Sequence, residues 1–343
     1  MNARTLVTAA ALLAGSTPAF SQPVGTRLFQ DDSLLQLTIQ GPLAAISANR
    51  DMEAGRPGTL ATPSEQLPIL LAPRGITRRA ADICDFPPLR VDFTSPPAAG
   101  SLFAGQRRLK LVTHCRRNEA HQQYVLVEYA AYRMFNLLTP VSYRARLARI
   151  DYRDSGGRPG ATRFGFFLED IDDVARRNGL ARAQVGNRIA VSAVSPREAA
   201  LAALFEYMIG NLDWSMRAGP QGEPCCHNFR LLTGKGSVGA IPVPYDFDFA
   251  GMVDAPYATP PEGINVRSVR VRSYRGYCVH NAEALAAARE IRSKQAELTA
   301  VLASVPGIMP QTTRKASAYL QPFFAQIADD QSVQDKILRY CVR

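Results

Sequence analysis

Leu35, Leu37 and Ile39 alternate with polar residues, the period of a strand with one buried face. Short apolar runs recur at Ile69–Ala72, Leu89–Phe93 and Arg108–Thr113, separated by turn-rich stretches such as TSPPAAGS. The polar segment from Ala48 to Ser64, with its glycines and prolines, reads as a loop. The period then changes. EAHQQYVLVEYAAYRMFNLL, Glu119 to Leu138, has neither glycine nor proline and repeats its apolar residues at helical spacing, so the pattern predicts a helix ended by Pro140. Two further strands, Tyr143–Tyr152 and Arg163–Glu169, flank the hairpin-like link DSGGRPGAT.

The second half is mostly helical: Pro196–Gly210, Ala282–Ala303 and Arg314–Tyr340, with short strands at Phe229–Thr233 and Gly239–Val243. An antiparallel sheet with one main helix, followed by helices, predicts an α+β protein of two lobes. The expected division is residues 22–170 and 171–343, with the crossover near Glu169–Asp173.

The first residues, MNARTLVTAAALLAGSTPAFSQP, combine an early arginine, an apolar stretch of about ten residues and a small-x-small site at Ala19-Phe20-Ser21. They predict a signal peptide over residues 1–21 and an exported chain, periplasmic or extracellular, without a transmembrane segment. Six cysteines fit an oxidising compartment. Cys84 with Cys115 is the expected pair, whereas adjacent Cys225 and Cys226 are expected to pair elsewhere. The net charge of +10, carried mainly by arginine, favours anionic partners. The basic residues are dispersed, without zinc-finger spacing or aromatic interleaving, which argues against nucleic acid. Arg267, Arg270 and Arg272 form a basic stripe that either binds an anionic acceptor or neutralises the surface.

Charge interrupts the apolar pattern at four places. Lys110 lies between Leu109 and Leu111, facing away from both. Glu128 follows the apolar run Val125–Val127 inside the predicted helix. Taken alone, each reads as solvent-facing; together, a strand lysine followed by a helix glutamate is the arrangement that holds an ammonium over nucleotide phosphates. Asp213, after Gly210 and Asn211, reads as turn chemistry or, with Asn228 opening a later strand, as a catalytic aspartate followed by a metal-binding asparagine. Asp246 and Asp248, in VPYDFDFAGMV, share a face if that run stays extended. Two carboxylates so close need a cation in an apolar setting, and a hard divalent ion supplies one; the alternative is a loop-end pair facing water and held by arginines.

The order Lys110, Glu128, Asp213, Asn228, Asp246 matches that of the functional parts of protein-kinase-like enzymes. More closely, the chain resembles the CotH family of secreted, atypical kinase-like proteins. The likeness lies in RGITRRAADICDFPPLRVDF, LKLVTHC with its following helix, FGFFLEDID, GNLDWSM with HNFRLL, and VPYDFDFAGMV, covering most of residues 70–255. It implies a bilobal protein-kinase-like fold, with a β-rich N-terminal lobe and an α-rich C-terminal lobe. It also implies an exported phosphotransferase that moves the γ-phosphoryl of ATP, with Mg²⁺ or Mn²⁺, to a protein or glycan hydroxyl.

In that scheme Lys110 contacts the phosphates and Glu128 orients it. Glu169 sits where adenine binds, and Asp213 positions or deprotonates the acceptor. Asn228 and Asp246 hold the metal, with Asp248 a further metal candidate. No glycine-rich phosphate loop is present, so Arg74-Gly75 serves through backbone or guanidinium contacts. A pseudokinase-like envelope scaffold that binds a partner or anionic polymer is the alternative. A phosphoesterase built from Asp213, Asp246 and Asp248 leaves Lys110 and Glu128 without a role.

Overall fold

In a computed structural model of the chain, residues 25–51 and 55–343 are described. The segment read as a signal peptide lies outside the described residues. The first half comprises β1 (Leu35–Gly41), α1 (Leu43–Ala48), β2 (Arg56–Ala61), β3 (Gln66–Pro73), β4 (Leu89–Phe93), β5 (Arg108–Val112), α2 (Gln122–Leu138), β6 (Ala145–Asp154) and β7 (Ala161–Leu168). There follow α3 (Ile171–Arg177), β8 (Ala181–Arg182), α4 (Pro196–Ile209), β9 (Phe229–Thr233) and β10 (Ile241–Pro244). The chain ends in α5 (Asn281–Ser293), α6 (Gln295–Ser304), α7 (Pro310–Gln326) and α8 (Asp330–Lys336).

The first seven strands form a closed barrel in the order β1-β2-β3-β4-β5-β7-β6. Six pairings around it are antiparallel, and β1 closes the ring by running parallel to β6, from Leu35 opposite Ala148 to Gly41 opposite Asp154. The bilobal protein-kinase-like fold expected from the sequence is therefore overturned: the protein is a closed seven-stranded barrel combined with eight α-helices among the described residues. The reason lies in β2, which comes from the segment read as a loop. Pro57 and Gly58 disguise it as turn-forming sequence. Gly58 allows β1 close, since a Cβ there would stand 2.6 Å from the Gln40 carbonyl oxygen. With β2 paired to β1 and β3, and β6 returned against β1, the sheet has no open edge.

Two cores follow from the alternation along the strands. Leu37, Ile39, Leu71, Val91, Leu109, Leu111 and their neighbours fill the barrel, with Phe103 and Phe29 against them. Residues of opposite parity on β5, β6 and β7, among them Val112, Leu147 and Phe166, face outward into a second core with α2, α4 and the later helices. Thus α2 belongs to the helical layer as much as to the barrel, and the core continues across the expected lobe boundary. The predicted helix over Ala282–Ala303 is two, α5 and α6, divided at Lys294, whose Nζ donates to the Leu137 carbonyl at 2.6 Å.

Three disulfides join Cys84 to Cys115, Cys225 to Cys226 and Cys278 to Cys341. The first agrees with the sequence reading, and the second corrects it. With the other four sulfurs paired, the adjacent cysteines are left as each other's partners. No helix among the described residues is long and apolar enough to cross a membrane. The basic stripe is largely engaged within the fold. Arg270 pairs with Asp254 at 2.9 Å, and Arg272 lies 3.9 Å from the centroid of the Tyr319 ring while donating to the carbonyls of Tyr207 and Met208 near the end of α4.

Candidate active site

A cleft of about 520 Å³ runs between the outer wall of the barrel and the β9–β10 pair. Arg74, Lys110, Asp213, Asn228, Asp246 and Asp248 all line it, although they come from five separated stretches of chain. Each is delivered by identifiable local structure. β5 buries Leu109 and Leu111 in the barrel, so Lys110 must project from the outer wall. α4 stops at Gly210, whose left-handed φ of 71° turns the chain towards Asp213, and a Cβ there would collide with the Tyr319 hydroxyl.

β9 and β10 pair antiparallel, with Pro244 opposite Phe229, and the Tyr245 N–H donates to the Asn228 carbonyl at 3.0 Å. Asn228 and Asp246 are thereby placed side by side at the same end of the ribbon. Both are held in the left-handed region, with φ of 51° and 67°. Such strain costs of order 1–3 kcal/mol per residue and concentrates at ligand-binding positions. The extended run expected through Asp248 does not occur: β10 ends at Pro244 and Asp248 lies in a turn. The two aspartates meet the same cleft through this turn rather than through strand periodicity.

The cleft separates its charges. On one wall, the side chains of Arg74 and Lys110 make no ion pair among the described residues. Lys110 stands 5.8 Å from the Tyr245 ring centroid, and Arg230 lies over the same ring at 4.8 Å. Burial, with Arg74 beside it, lowers the Lys110 pKa to about 8. On the other side, the Asp246 carboxylate makes no hydrogen bond or ion pair among the described residues, and its backbone N–H donates to the Tyr132 hydroxyl at 2.8 Å. Asp248 is buried and accepts one hydrogen bond, from the Tyr257 hydroxyl at 3.1 Å. Burial, reinforced by the charge of Asp246 and opposed by Arg78, pushes Asp248 up to about 7.

Asp213 sits between a histidine and an amide. His227 Nε2 lies 2.8 Å from Oδ1, and Asn228 Nδ2 donates to the Asp213 carbonyl at 2.6 Å and to Oδ2 at 3.1 Å. The hydrogen bond to Asp213 raises the His227 pKa above its ordinary value against the cost of burial. The cysteine-bearing insert between Asp213 and Asn228 leaves and returns at one place, where Ser215 bridges His227. Sequence distance therefore does not separate the pair.

Two expected roles do not match the observed contacts. The Glu128 carboxylate lies 3.7 Å from Arg78 Nη1, and no Lys110–Glu128 ion pair occurs among the described residues. Arg78, in the turn after β3, also donates to the Thr113 carbonyl, and its guanidinium lies 5.9 Å from the Tyr257 ring centroid. Burial, with Asp248 and Asp246 adding to it, drives the Glu128 pKa well up. Glu169 is absent from the cleft lining and fully buried, accepting from Arg177 at 3.0 and 3.1 Å and from the Arg144 N–H at 2.9 Å. The sequence reading singled out neither Arg78 nor Arg230. Arg78 lies in the RGITRR stretch, but its spacing contains nothing that points to Glu128.

No group of three or more His, Cys, Asp or Glu side chains is arranged as a metal site among the described residues. The oxygen donors available are two carboxylates, Asp246 and Asp248, and the Asn228 amide oxygen, whose nitrogen is engaged by Asp213. This set suits a hard cation that takes one or two carboxylates and completes its coordination with water and phosphate oxygens, as Mg²⁺ does. Mutual repulsion between the aspartates supplies the electrostatic reason to bind one. Compared with models of known protein families the chain matches none, and no curated protein matches it.

Proposed function

We propose that this cleft binds the phosphates of a nucleotide with a divalent cation and transfers the terminal phosphoryl group to a hydroxyl of a protein or glycan. The observation that carries the reading is the charge arrangement: Arg74 and Lys110 face Asp246 and Asp248 across the cleft, and none of the four makes an ion pair among the described residues, Arg78 acting on the aspartates only from beyond ion-pair distance. A metal-bound polyphosphate complements both sides at once, which neither a simple anion nor a metal alone does. The resemblance to the CotH family in the order of these residues supports ATP as donor and an exported, periplasmic or extracellular protein.

The roles follow from position. Arg74 and Lys110 hold phosphate oxygens, Lys110 as a point charge and Arg74 through a planar fork of donors. Asp246, Asp248 and the Asn228 oxygen would hold Mg²⁺ or Mn²⁺, which neutralises charge on the donor's phosphates. The acceptor oxygen forms a bond to the γ-phosphorus as the bond from that phosphorus to the bridging oxygen breaks. The acceptor proton passes to the Asp213 carboxylate, and the diphosphate leaves with the bond's electron pair. His227 and Asn228 fix the Asp213 carboxylate from either side, so the catalysis is chiefly positioning and charge neutralisation.

A second reading is favoured by the contacts of Glu128 and Glu169. With Glu128 held by Arg78 and Glu169 by Arg177, neither performs the role that the resemblance implies. A scaffold that binds an anionic partner without turnover needs neither role. Thermal unfolding with ATP and Mg²⁺ or Mn²⁺ tests binding, since a ligand specific to the folded state raises stability. The wild type is expected to shift upward, and Asp246→Ala to lose the shift. No shift in the wild type overturns nucleotide binding. Transfer of labelled phosphate, abolished by Asp213→Asn, then separates the enzyme from the scaffold.

A further inference from the structure

A second cavity, of about 390 Å³, opens at the end of the barrel where β5 and β6 finish and β7 begins. No residue lines both it and the cleft. Its inner wall is aromatic: the Phe86 and His114 rings stack at 4.9 Å, and Tyr152 packs against them at 5.1 and 5.4 Å. Leu43 and Pro159 add apolar surface. Barrel mouths are recurrent places for small-molecule sites, and this volume is in the range such sites have.

Three buried polar atoms on side chains lining this cavity have no hydrogen-bond partner among the described residues: His114 Nδ1, the Tyr152 hydroxyl and Arg163 Nε. His114 and Tyr152 are 6% and 3% exposed, so bulk water does not compensate them. Orphaned polar atoms at such depth cost free energy unless something fills the space and bonds to them. The residual charge is positive. Asp154 accepts from the backbone N–H groups of Ala44, Gly156 and Arg158. Asp85 accepts from Arg116 and from the Arg117 N–H. The guanidinium groups of Arg117 and Arg158 make no hydrogen bond or ion pair among the described residues, and that of Arg163 keeps its Nε free while its other nitrogens reach the Thr162 and Arg117 carbonyls at 2.9 Å.

We propose that this barrel-mouth cavity binds a small aromatic carboxylate, its ring against Phe86 and Tyr152 and its carboxylate towards the arginines. Arg163 Nε can only donate, which requires an acceptor. Tyr152 and neutral His114 can each donate or accept, which admits a hydroxyl on the ring. Burial holds the His114 pKa down to about 3, so the imidazole stays neutral when a ligand arrives. The site is independent of phosphoryl transfer in the cleft, and either can fail without the other.

The probe is 4-hydroxybenzoate, titrated by calorimetry into the intact mature chain, with 4-hydroxybenzamide and acetate as the uncharged and ringless controls. The expected result is a Kd of about 1 mM or tighter for 4-hydroxybenzoate and at least about tenfold weaker binding of both controls. Tyr152→Phe, which keeps the ring, is expected to weaken binding about tenfold. Ser47→Trp, at a half-buried rim position, should block the cavity without entering the core. No binding of 4-hydroxybenzoate, equal binding of the amide, full binding by folded Ser47→Trp protein, or displacement by ATP with Mg²⁺ would each overturn the proposal. If Tyr152→Phe does not fold, the Ser47→Trp result and the two controls still decide it.

Discussion

Glu169 and the Asp246–Asp248 pair present the same sequence problem, acidic residues against an apolar background, and the fold answers it in opposite ways. Glu169 lies opposite a guanidinium of matching geometry: Arg177 meets its carboxylate with two nitrogens, and the Arg144 N–H takes another oxygen position. Its charge is neutralised from within the chain, and nothing further is called for. Asp246 is exposed at the cleft, whereas Asp248 is buried with one tyrosine hydroxyl and no ion pair, Arg78 being ion-paired with Glu128 while opposing the Asp248 charge from further away. A buried acid becomes evidence for a ligand only when the protein does not neutralise it.

The largest effect that would sharpen this contrast comes from the neutralised side. Arg177→Ala leaves Glu169 buried and uncompensated, and is expected to cost about 3–5 kcal/mol in urea unfolding. A loss below about 1 kcal/mol would mean that Glu169 is not held by charge. The Asp pair should behave in the reverse sense. The Asp248 pKa is raised in the folded protein, so its contribution favours folding at low pH and is lost as pH rises towards and through about 7. Asp248→Asn keeps an acceptor for Tyr257 and removes the repulsion. At pH 8 without metal it is expected to be about 1–2 kcal/mol more stable than the wild type, and near neutral at pH 5. It should also lose the stabilisation that Mg²⁺ is expected to give the wild type. A destabilised Asp248→Asn at pH 8 would remove the case for an uncompensated pair.

The smallest expected effect concerns the opposite wall. Lys110 loses its proton near pH 8, so nucleotide affinity is expected to hold up to about pH 7 and then fall, by at most about tenfold per pH unit. The unliganded protein is expected to show the opposite trend, gaining stability as the ammonium is discharged between about pH 8 and the ordinary lysine range. Lys110→Met should flatten the affinity profile, as measured by fluorescence titration with a labelled nucleotide. A profile unchanged by that substitution would remove Lys110 from the phosphate site.

The elements themselves were largely readable. β4 and β9 coincide with the predicted runs, α4 begins at Pro196 as expected, and Cys84–Cys115 is the expected disulfide. β2 was not readable, because Pro57 and Gly58 carry turn propensity, and only pairing on both sides overrides it. The barrel follows from that strand and from the parallel return of β6, neither of which leaves a local signature. For the site, the residue types in Asp213, Asn228 and Asp246 pointed to one place, and register brings them there. The basis offered for Asp246 and Asp248, a common strand face, is replaced by a turn after Pro244.

What the sequence determined by itself is whatever depends on near neighbours: helical and strand periods, the outward direction of Lys110 between two buried leucines, and the stop at Gly210. Which charges neutralise one another was decided only by the tertiary structure. Glu128 meets Arg78 rather than Lys110, Glu169 meets Arg177, and Asp213 meets His227. Pairing between charges depends on distances of a few ångströms across segments tens of residues apart, and no local pattern encodes those distances.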